Sequence, residues 1–338
     1  RIYHSTAFRK LKDKTQVFMF EKGDYYRNRL THTLEVSQIA RSVSRKFQLN
    51  EDLAECISLC HDLGHSPFGH VGEDIITQEL DHNFNHNIQS FRQVTLLEKK
   101  YVSYDGLNLS WETLDGLIKH NGPIQDPIHE YGLSKDFYFD LNKNPSLEAQ
   151  IASISDDIAY IAHDFDDGIR SEILNLKILS KYSTLFDFID FDYLFSLNHK
   201  VARNYFTRQV INYLVLNLIK ETELKLNNPK IEKHVDIINA SEFFVGFSTN
   251  ISEQVALMKS YLYEHFYTSD FVYNSRTHAE KILVFIINFL KENISELPSS
   301  WKRKITDEQS KKQTIVDYVC GMTDQYAINF YKNYASKH

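Results

Sequence analysis

Residues that interrupt helices are scarce in this chain, whose 338 residues include only 11 glycines and 6 prolines. Apolar side chains recur at the three- and four-residue spacing of an amphipathic helix from Leu34 to Phe47, and again from Leu147 to Phe165. Residues 192–224 and 252–290 have the same helical character. Together these patterns predict an all-α fold.

The helical pattern has recognisable boundaries. Asn50 is a good N-cap for a second helix, because its side chain can accept a hydrogen bond from a free backbone N–H. This helix carries the apolar residues Leu53, Ala54 and Ile57 and runs into His61. A third strong helix is predicted to begin near Ser146 and to stop near Gly168.

The chain has a predicted connection but no obvious linker. Residues 121–145 are rich in Gly, Pro, Asn and Asp, which is typical of a long connection. Repeats and Gly/Ser linkers are absent from the sequence, so a separable second domain is not required. We therefore predict a catalytic core over residues 1–175 and a C-terminal helical lobe over residues 176–338 that packs on it.

Composition limits the environment and the partners of the chain. The sequence has no run of about 18 apolar residues, so we expect no membrane span. Three cysteines are too few for a disulfide framework and predict a reducing, cytoplasmic location. The formal charge of −7 argues against a broad nucleic-acid surface, although the basic residues at 9–14 leave a local groove open. No signal peptide is visible, and since the chain begins at Arg1 we expect residues before it.

Residues 61–70 are the most chemically distinctive stretch of the chain. They contain His61 next to Asp62, followed by His65 and His70. Imidazole nitrogen together with carboxylate oxygen suits a divalent cation that must also meet phosphate oxygens. Glycine and proline at 64, 67 and 69 break the helix that carries the pair. The stretch therefore predicts a metal site with a catalytic histidine beside it.

A second polar group lies on the predicted helix that begins near Ser146. Asp156, Tyr160 and Asp164 are four residues apart, so they share one helix face that is distinct from the isoleucine stripe. Such a face could simply be solvated. The alternative is a metal-binding carboxylate followed by two groups that bind a sugar.

The order of these motifs resembles the HD-domain phosphohydrolases, and in detail the bacterial deoxynucleoside triphosphate triphosphohydrolases, often called dGTPase-like proteins. The matching stretches span nearly the whole chain: residues 14–18, 29–36, 61–73, 86–92, 106–111, 156–160 and 317–327. The resemblance implies an all-helical HD-domain fold with an additional C-terminal lobe.

The resemblance also implies the ligands of one divalent cation per subunit. These are His32, His61, Asp62 and Asp156, with Mg²⁺ or Mn²⁺ expected and Fe²⁺, Ni²⁺ or Zn²⁺ also compatible with the donors. Asp157 is the competing choice for the fourth ligand, and Asp156 is preferred because only it shares a face with Tyr160.

By the same resemblance, other residues act on protons and on the substrate. His70 would transfer a proton and Glu73 would orient it, with His65 and His86 as donors to the phosphates or as auxiliary acids. The implied substrate-binding residues are Arg29 and Lys119 for phosphate, and Gln16, Tyr160 and Asp164 for deoxyribose.

Two residues depart from the family pattern. Asn85 stands where a glutamate is usual, which removes a negative charge beside His86 and puts the role of His86 as an acid in doubt. Gln325 replaces a usual arginine, so a subunit or phosphate contact inferred at that position is unsafe.

The resulting hypothesis is a metal-dependent hydrolase that converts a deoxynucleoside triphosphate to a deoxynucleoside and inorganic triphosphate, by attack of water at the α-phosphorus. One alternative keeps the metal and changes the substrate to another nucleotide or signalling phosphoester. Another is a nucleotide-sensing or single-strand-binding regulator with residual activity. The resemblance implies a homo-oligomer, and it leaves open an allosteric nucleotide and a single-stranded nucleic acid as partners.

Overall fold

The computed structural model describes residues 1–17, 26–80, 83–125 and 140–335, and these are organised as helices and their connections. The extended pairing found in these ranges is an isolated antiparallel bridge between Thr15 and Asn28. The α-helices are α1 Thr6–Lys10, α2 Arg29–Lys46, α3 Glu51–Cys60, α4 His70–Leu80, α5 His86–Arg92, α6 Trp111–Ile118, α7 Leu147–Arg170, α8 Leu176–Leu179, α9 Phe191–Ser196, α10 His199–Leu226, α11 His234–Ile238, α12 Thr249–Leu262, α13 Asp270–Glu292, α14 Ser299–Lys302, α15 Glu308–Cys320 and α16 Asp324–Ala335. The prediction of an all-α fold is confirmed.

Side-chain caps begin the helices that carry the site. Asn28 accepts a hydrogen bond from the backbone of Thr31 at the start of α2, and Asn50 does the same at the start of α3. Ser146 caps α7. The predicted starts of α3 and α7 are therefore correct.

Three boundaries differ from the sequence prediction. Gly168 does not end α7, which continues to Arg170; a Cβ there would lie 2.6 Å from a methyl carbon of Leu174, so this glycine permits close packing. The stretch 192–224 is divided where Asn198 caps α10, and the stretch 252–290 is divided by a π-helical turn, Tyr263–Tyr267. Within the predicted connection, residues 126–139 lie outside the described residues.

The largest hydrophobic core crosses the predicted boundary at residue 175. It joins α2 and α7 to α10 and α12, with Phe165 and Phe206 fully buried in it. A second core joins Phe68 and α4 to α13, α15 and α16. We propose that residues 176–338 are a lobe that does not fold without residues 1–175, because both cores would be exposed. In the described ranges, no helix combines the length and apolarity needed to cross a bilayer.

Candidate metal centre and active site

Three helices bring the predicted metal ligands together. His32 lies in the first turn of α2, His61 follows the last residue of α3, and Asp156 lies midway along α7. Asp156 Oδ1 is 2.8 Å from His32 Nε2 and 3.6 Å from His61 Nε2. One donor atom from each residue lies within 4.8 Å of the others, a spacing that can hold a metal ion.

Asp62 lies at the edge of this group. Its Oδ1 is 3.4 Å from His61 Nε2 and 3.0 Å from His65 Nε2, and its Oδ2 accepts a hydrogen bond from Arg29 at 3.0 Å. Burial raises the pKa of Asp62, but His61, Arg29 and His65 outweigh it and hold the pKa well below its usual value. Asp62 is therefore ionised and anchored beside the donors, as a ligand must be.

Within the described ranges, the Nε2 atom of His61 that faces the metal-ligand group has no hydrogen-bond partner. His61 Nδ1 lies 2.6 Å from the carbonyl oxygen of Ser58, and its Nε2 is buried without a hydrogen bond among the described residues. Burial opposes a charge on His61, but the carboxylates of Asp62 and Asp156 raise its pKa to about 9. A site that attracts a proton this strongly attracts a cation for the same reason. The residues present therefore fit a divalent metal ion.

Two histidines that sequence reasoning did not select complete the surroundings of the centre. His120 Nε2 is 3.4 Å from Asp156 Oδ2, and the His120 ring stacks on the ring of His61 with centroids 5.1 Å apart. His163 places its Nδ1 3.4 Å from His32 Nδ1 and its Nε2 2.6 Å from Glu35. His120 is next to Lys119 and His163 is next to Asp164, both of which sequence reasoning selected. This proximity to selected residues is the sequence signal that could have identified the two histidines.

His163 sets the tautomer of His32. Glu35 accepts a hydrogen bond from His163 Nε2–H, which leaves His163 Nδ1 as an acceptor for the N–H of His32 Nδ1. His32 Nε2 then presents its lone pair to the centre. Metal-binding histidines are commonly oriented in this way through their other nitrogen.

A second cluster surrounds Glu73 in the first turn of α4. Glu73 Oε1 is 2.5 Å from His65 Nδ1, and Oε2 is 3.1 Å from His86 Nδ1, while the His65 and His86 rings stack at 4.0 Å. His70 is more distant, with its Nδ1 3.8 Å from Glu73 Oε1. The structure thus brings all four predicted proton-handling residues together, with Glu73 at their centre.

In this second cluster the pKa of His65 is shifted in the opposite direction from the pKa of His61. Burial lowers the pKa of His65 to about 4, and the neighbouring Arg29 and His86 act in the same direction. Burial raises the pKa of Glu73, but His65 and His86 hold it well below its usual value. Glu73 is therefore a carboxylate beside a neutral His65 at neutral pH.

A cavity of about 570 Å³ opens beside both clusters, which is within the range of small-molecule sites. It lies between the core and the C-terminal lobe. Its lining comprises Thr15, Gln16, Val17, Phe68, His70, Val71, Asp156, Asp157, Tyr160, Lys259, Tyr263, Tyr267, Val272, Ser275, Arg276 and Ala279. Four predicted site residues, Gln16, His70, Asp156 and Tyr160, are thus exposed to one ligand-sized space.

The predicted sugar-binding face of α7 meets a tyrosine of the C-terminal lobe. The Tyr267 hydroxyl contacts both the Tyr160 hydroxyl and Asp164 Oδ2. Two acceptors, Asp164 Oδ1 and Gln16 Oε1, are buried without a hydrogen bond in the described part of the chain. Burial and the neighbouring Asp167 raise the pKa of Asp164 well above its usual value. Sequence reasoning missed Tyr267, because no motif marks it within the aromatic-rich C-terminal half.

The structure does not bring every predicted substrate-binding residue to the cavity. Lys119 is buried and pairs with Asp115 at 2.7 Å, and it does not line the cavity. Arg29 is buried against Asp62 and likewise does not line it, and neither does Asp164, which is fully buried. The cationic residues among the lining are Lys259, which lies 2.6 Å from Asp157, and Arg276.

The two departures from the family pattern have local roles. Asn85 caps α5, where its side-chain oxygen accepts hydrogen bonds from the backbone of Asn87 and Ile88. Gln325 is exposed and donates to Asn329 of its own helix.

The His61–Asp62 pair at the end of α3, joined by His32 and Asp156 from two other helices, defines a metal-dependent phosphohydrolase of the HD type. In agreement, the HD domain family matches residues 29–161, and the phosphohydrolase-associated domain family matches residues 245–333.

Comparison with curated proteins narrows the class. The chain is 41% identical over 345 residues to a deoxyguanosinetriphosphate triphosphohydrolase-like protein of Brucella anthropi, covering 97% of this chain and 86% of the relative. A protein of the same name from Rickettsia canadensis is 41% identical over 98% of this chain and 90% of its own length. The corresponding protein of Rickettsia prowazekii is 40% identical, with 99% and 90% covered. The chain belongs to the deoxyguanosinetriphosphate triphosphohydrolase-like family.

Proposed function

We propose that this protein hydrolyses deoxynucleoside triphosphates to a deoxynucleoside and inorganic triphosphate, using one divalent cation per subunit. The observation that carries the proposal is the position of Asp156, which belongs to the metal-binding group and also lines the cavity of about 570 Å³. A substrate in this cavity would reach the metal ligands and His70 together.

His32, His61, Asp62 and Asp156 would hold the cation. When bound, it would polarise an α-phosphate oxygen and lower the pKa of a water molecule, which supplies the nucleophile at neutral pH. Mg²⁺ or Mn²⁺ is the proposed ion, with Fe²⁺, Ni²⁺ and Zn²⁺ as alternatives that the same donors admit.

The Glu73 cluster would supply the proton for the leaving group. His70 lines the cavity and lies one helical turn from Glu73, so it can donate a proton to the departing 5′-oxygen. The carboxylate of Glu73 would orient His70 and stabilise its charged form, while His65 and His86 hold Glu73 in place.

The opposite side of the cavity would bind the sugar and the phosphates. A 3′-hydroxyl can satisfy the unpaired acceptor Gln16 Oε1, which belongs to a residue that lines the cavity, whereas Asp164 is fully buried outside the lining and its sugar contact stays a prediction from the resemblance. Tyr160 lines the same region, and a ring packed where a 2′-hydroxyl would project disfavours ribose. Lys259 and Arg276 are placed to contact phosphate oxygens, and Arg29 would act there only after leaving Asp62. Lys119, paired with Asp115, stays a prediction from the resemblance.

Product analysis tests the proposal. The protein is incubated with each of the four deoxynucleoside triphosphates, alone and in pairs, with Mg²⁺ or Mn²⁺, and with the matching ribonucleotides as controls. The expected products are deoxynucleoside and triphosphate, formed faster from deoxyribonucleotides. Release of pyrophosphate or monophosphate would contradict the reaction, and turnover restricted to another phosphoester would favour the alternative substrate class.

The paired incubations also examine regulation, because activation of one nucleotide's turnover by another would indicate an allosteric site. Single-strand binding by an Asp62→Ala variant, together with an inactive wild type, would favour a regulator. Homo-oligomer formation, nucleic-acid binding and a cytoplasmic location stay predictions from the resemblance and the composition.

A further inference from the structure

The proposed reaction assigns no role to the C-terminal motif at residues 317–327, which lies far from the metal ligands in sequence. The motif ends α15 and begins α16, and its Asp324 is buried. We propose that Asp324 is a positioning residue that sets the geometry of the two chain segments on which His70 and Gln16 are mounted. This inference rests on the proposed function for its kinetic consequence.

The carboxylate of Asp324 joins two segments that are distant in sequence. Its Oδ1 accepts a hydrogen bond from the backbone N–H of Phe68 at 2.9 Å. Its Oδ2 accepts from the backbone N–H of Thr15 at 2.8 Å and from the Thr15 hydroxyl. Both oxygens are thus used, and each holds a residue that lines the cavity.

The segment at Phe68 needs such a partner. Phe68 has a φ of 62° and Gly69 a φ of 64°, so two consecutive residues adopt the left-handed region. Glycine adopts it freely, but a bulky aromatic residue does so only where its surroundings enforce it. The helix α4 begins at the next residue, His70, so the direction of the Phe68 backbone determines where the His70 side chain enters the cavity.

The segment at Thr15 is held by the same part of the C-terminal lobe. Lys14 Nζ is buried and donates to the carbonyl oxygens of His65 at 2.5 Å and Cys320 at 2.9 Å. Lys10 Nζ donates to the carbonyl oxygen of Gly321. Since Gln16 follows Thr15 directly, these bonds fix the position of Gln16, a proposed sugar contact, relative to His70.

The test compares Asp324→Asn with Asp317→Asn. Asp317 is also buried, and it accepts from Gln89 and Arg92, so its substitution loosens the docking of the same lobe at α5, away from the cavity. We expect Asp324→Asn to lower kcat by about 100-fold, the effect of displacing a reacting group by about 1 Å, with a smaller change in KM. The control is expected to retain most of the wild-type kcat.

Hydrogen exchange of the metal-free proteins supplies a readout that does not depend on turnover. Amides at 15–17 and 68–73 should exchange about tenfold faster or more in Asp324→Asn, the factor expected from loss of a hydrogen bond to a charged group. In Asp317→Asn the acceleration should fall at 89–93 instead. Asp324→Glu, which keeps the charge but moves it by one methylene, should show the same loss of kcat.

Wild-type exchange at 68–73 in a folded Asp324→Asn protein would overturn the proposal, as would equal losses of kcat in the two Asn variants. If Asp324→Asn fails to fold, Asp324→Glu decides by the same two measurements. If the wild type hydrolyses no deoxynucleotide, the proposed function fails, while the exchange pattern still decides whether Asp324 holds these segments.

Discussion

The metal-ligand group (His32, His61, Asp62, Asp156) and the Glu73 cluster (His65, His70, Glu73, His86) both combine histidines with carboxylates and lie side by side, yet the pKa values of His61 and His65 are shifted in opposite directions. Two carboxylates face His61 and raise its pKa to about 9. His65 also faces two carboxylates, those of Glu73 and Asp62, yet burial and the nearby Arg29 lower the pKa of His65 to about 4. The balance between burial with nearby cationic charge on one side and carboxylate charge on the other therefore decides that His61 attracts a proton or a cation while His65 stays neutral.

The two groups share a boundary at Asp62. Its Oδ1 lies between His61 and His65, so one carboxylate contacts both a proposed ligand and a neutral histidine of the other cluster. Variants on either side should separate metal binding from proton transfer if the comparison is correct.

The largest effect is expected from removing a metal ligand. His61→Ala or Asp62→Ala should lower kcat by about 1000-fold or more, because the metal contributes several kcal/mol to the transition state. Bound metal, measured by elemental analysis, should be lost with the activity. His199→Ala, at the exposed start of α10, is the control and should retain both. Retention of metal in both ligand variants would contradict the assignment of His61 and Asp62 as metal ligands, and with it the distinction between the two groups.

Removal of the proton donor is expected to have the next largest effect. His70→Ala should lower kcat by about 100-fold or more, the usual contribution of a general acid. Metal content should remain at the wild-type level, since His70 lies outside the metal-binding group. Glu73→Gln should reduce kcat in the same direction and shift its pH profile. A His70 variant that loses metal would contradict the assignment.

A smaller effect is expected from His163, which contacts the metal-ligand group only through His32. His163→Phe keeps a ring but removes both nitrogens, so His32 loses the partner that selects its tautomer. Metal affinity, measured by titration calorimetry, should fall about 10- to 100-fold. Glu35→Gln should give a weaker loss of the same kind. Unchanged affinity in both variants would show that His32 is oriented by Asp156 alone.

The smallest effect is on the pH dependence of the free energy of unfolding in metal-free protein, to which His65 and His61 contribute on opposite sides of pH 6.5. Between pH 6.5 and about 4 the unfolded chain binds a proton that folded His65 does not, so stability falls as the pH drops. Between pH 6.5 and about 9 folded His61 binds a proton that the unfolded chain does not, so the stability it adds is lost as the pH rises. Each histidine contributes up to about 1.4 kcal/mol per pH unit.

Thermal unfolding in the presence of a chelator measures both slopes. His65→Gln should reduce the slope of stability against pH between about pH 4 and 6.5. It should not abolish this slope, because His163, with a pKa of about 4, also contributes to it. His61→Gln should flatten the alkaline one. Saturating metal should remove the alkaline slope in the wild type, because a ligating histidine is deprotonated. An alkaline slope that persists with metal would argue against His61 as a ligand.

Local features of the fold were predictable from the residues that form them. Asn50 and Ser146 cap the helices they were expected to cap, because capping needs only a side chain and the backbone three residues away. Gly168 was misjudged for the opposite reason. Its role is contact with Leu174, which the helical pattern around Gly168 does not reveal.

Within the site, residues in motifs were predictable and residues supplied by packing were not. The shared face of Asp156 and Tyr160 follows from helix geometry, and both line the cavity. His120, His163 and Tyr267 belong to no spacing pattern and reach the site through the packing of α6, α7 and the turn after α12. Lys119 shows the converse, since a residue picked out by resemblance is buried against Asp115.

The sequence by itself determined that the chain is helical, that a His–Asp pair ends one helix, and that histidines and an acid follow within thirteen residues, because these depend on periodicity and short-range spacing. Tertiary structure alone decided that His61 faces Asp62 and Asp156 while His65 is buried near Arg29, and it joined Asp324 to Phe68 and Thr15. The pKa values and the backbone geometry of the site depend on groups that are close in space and distant along the chain. Those distances are set by the burial of the two cores.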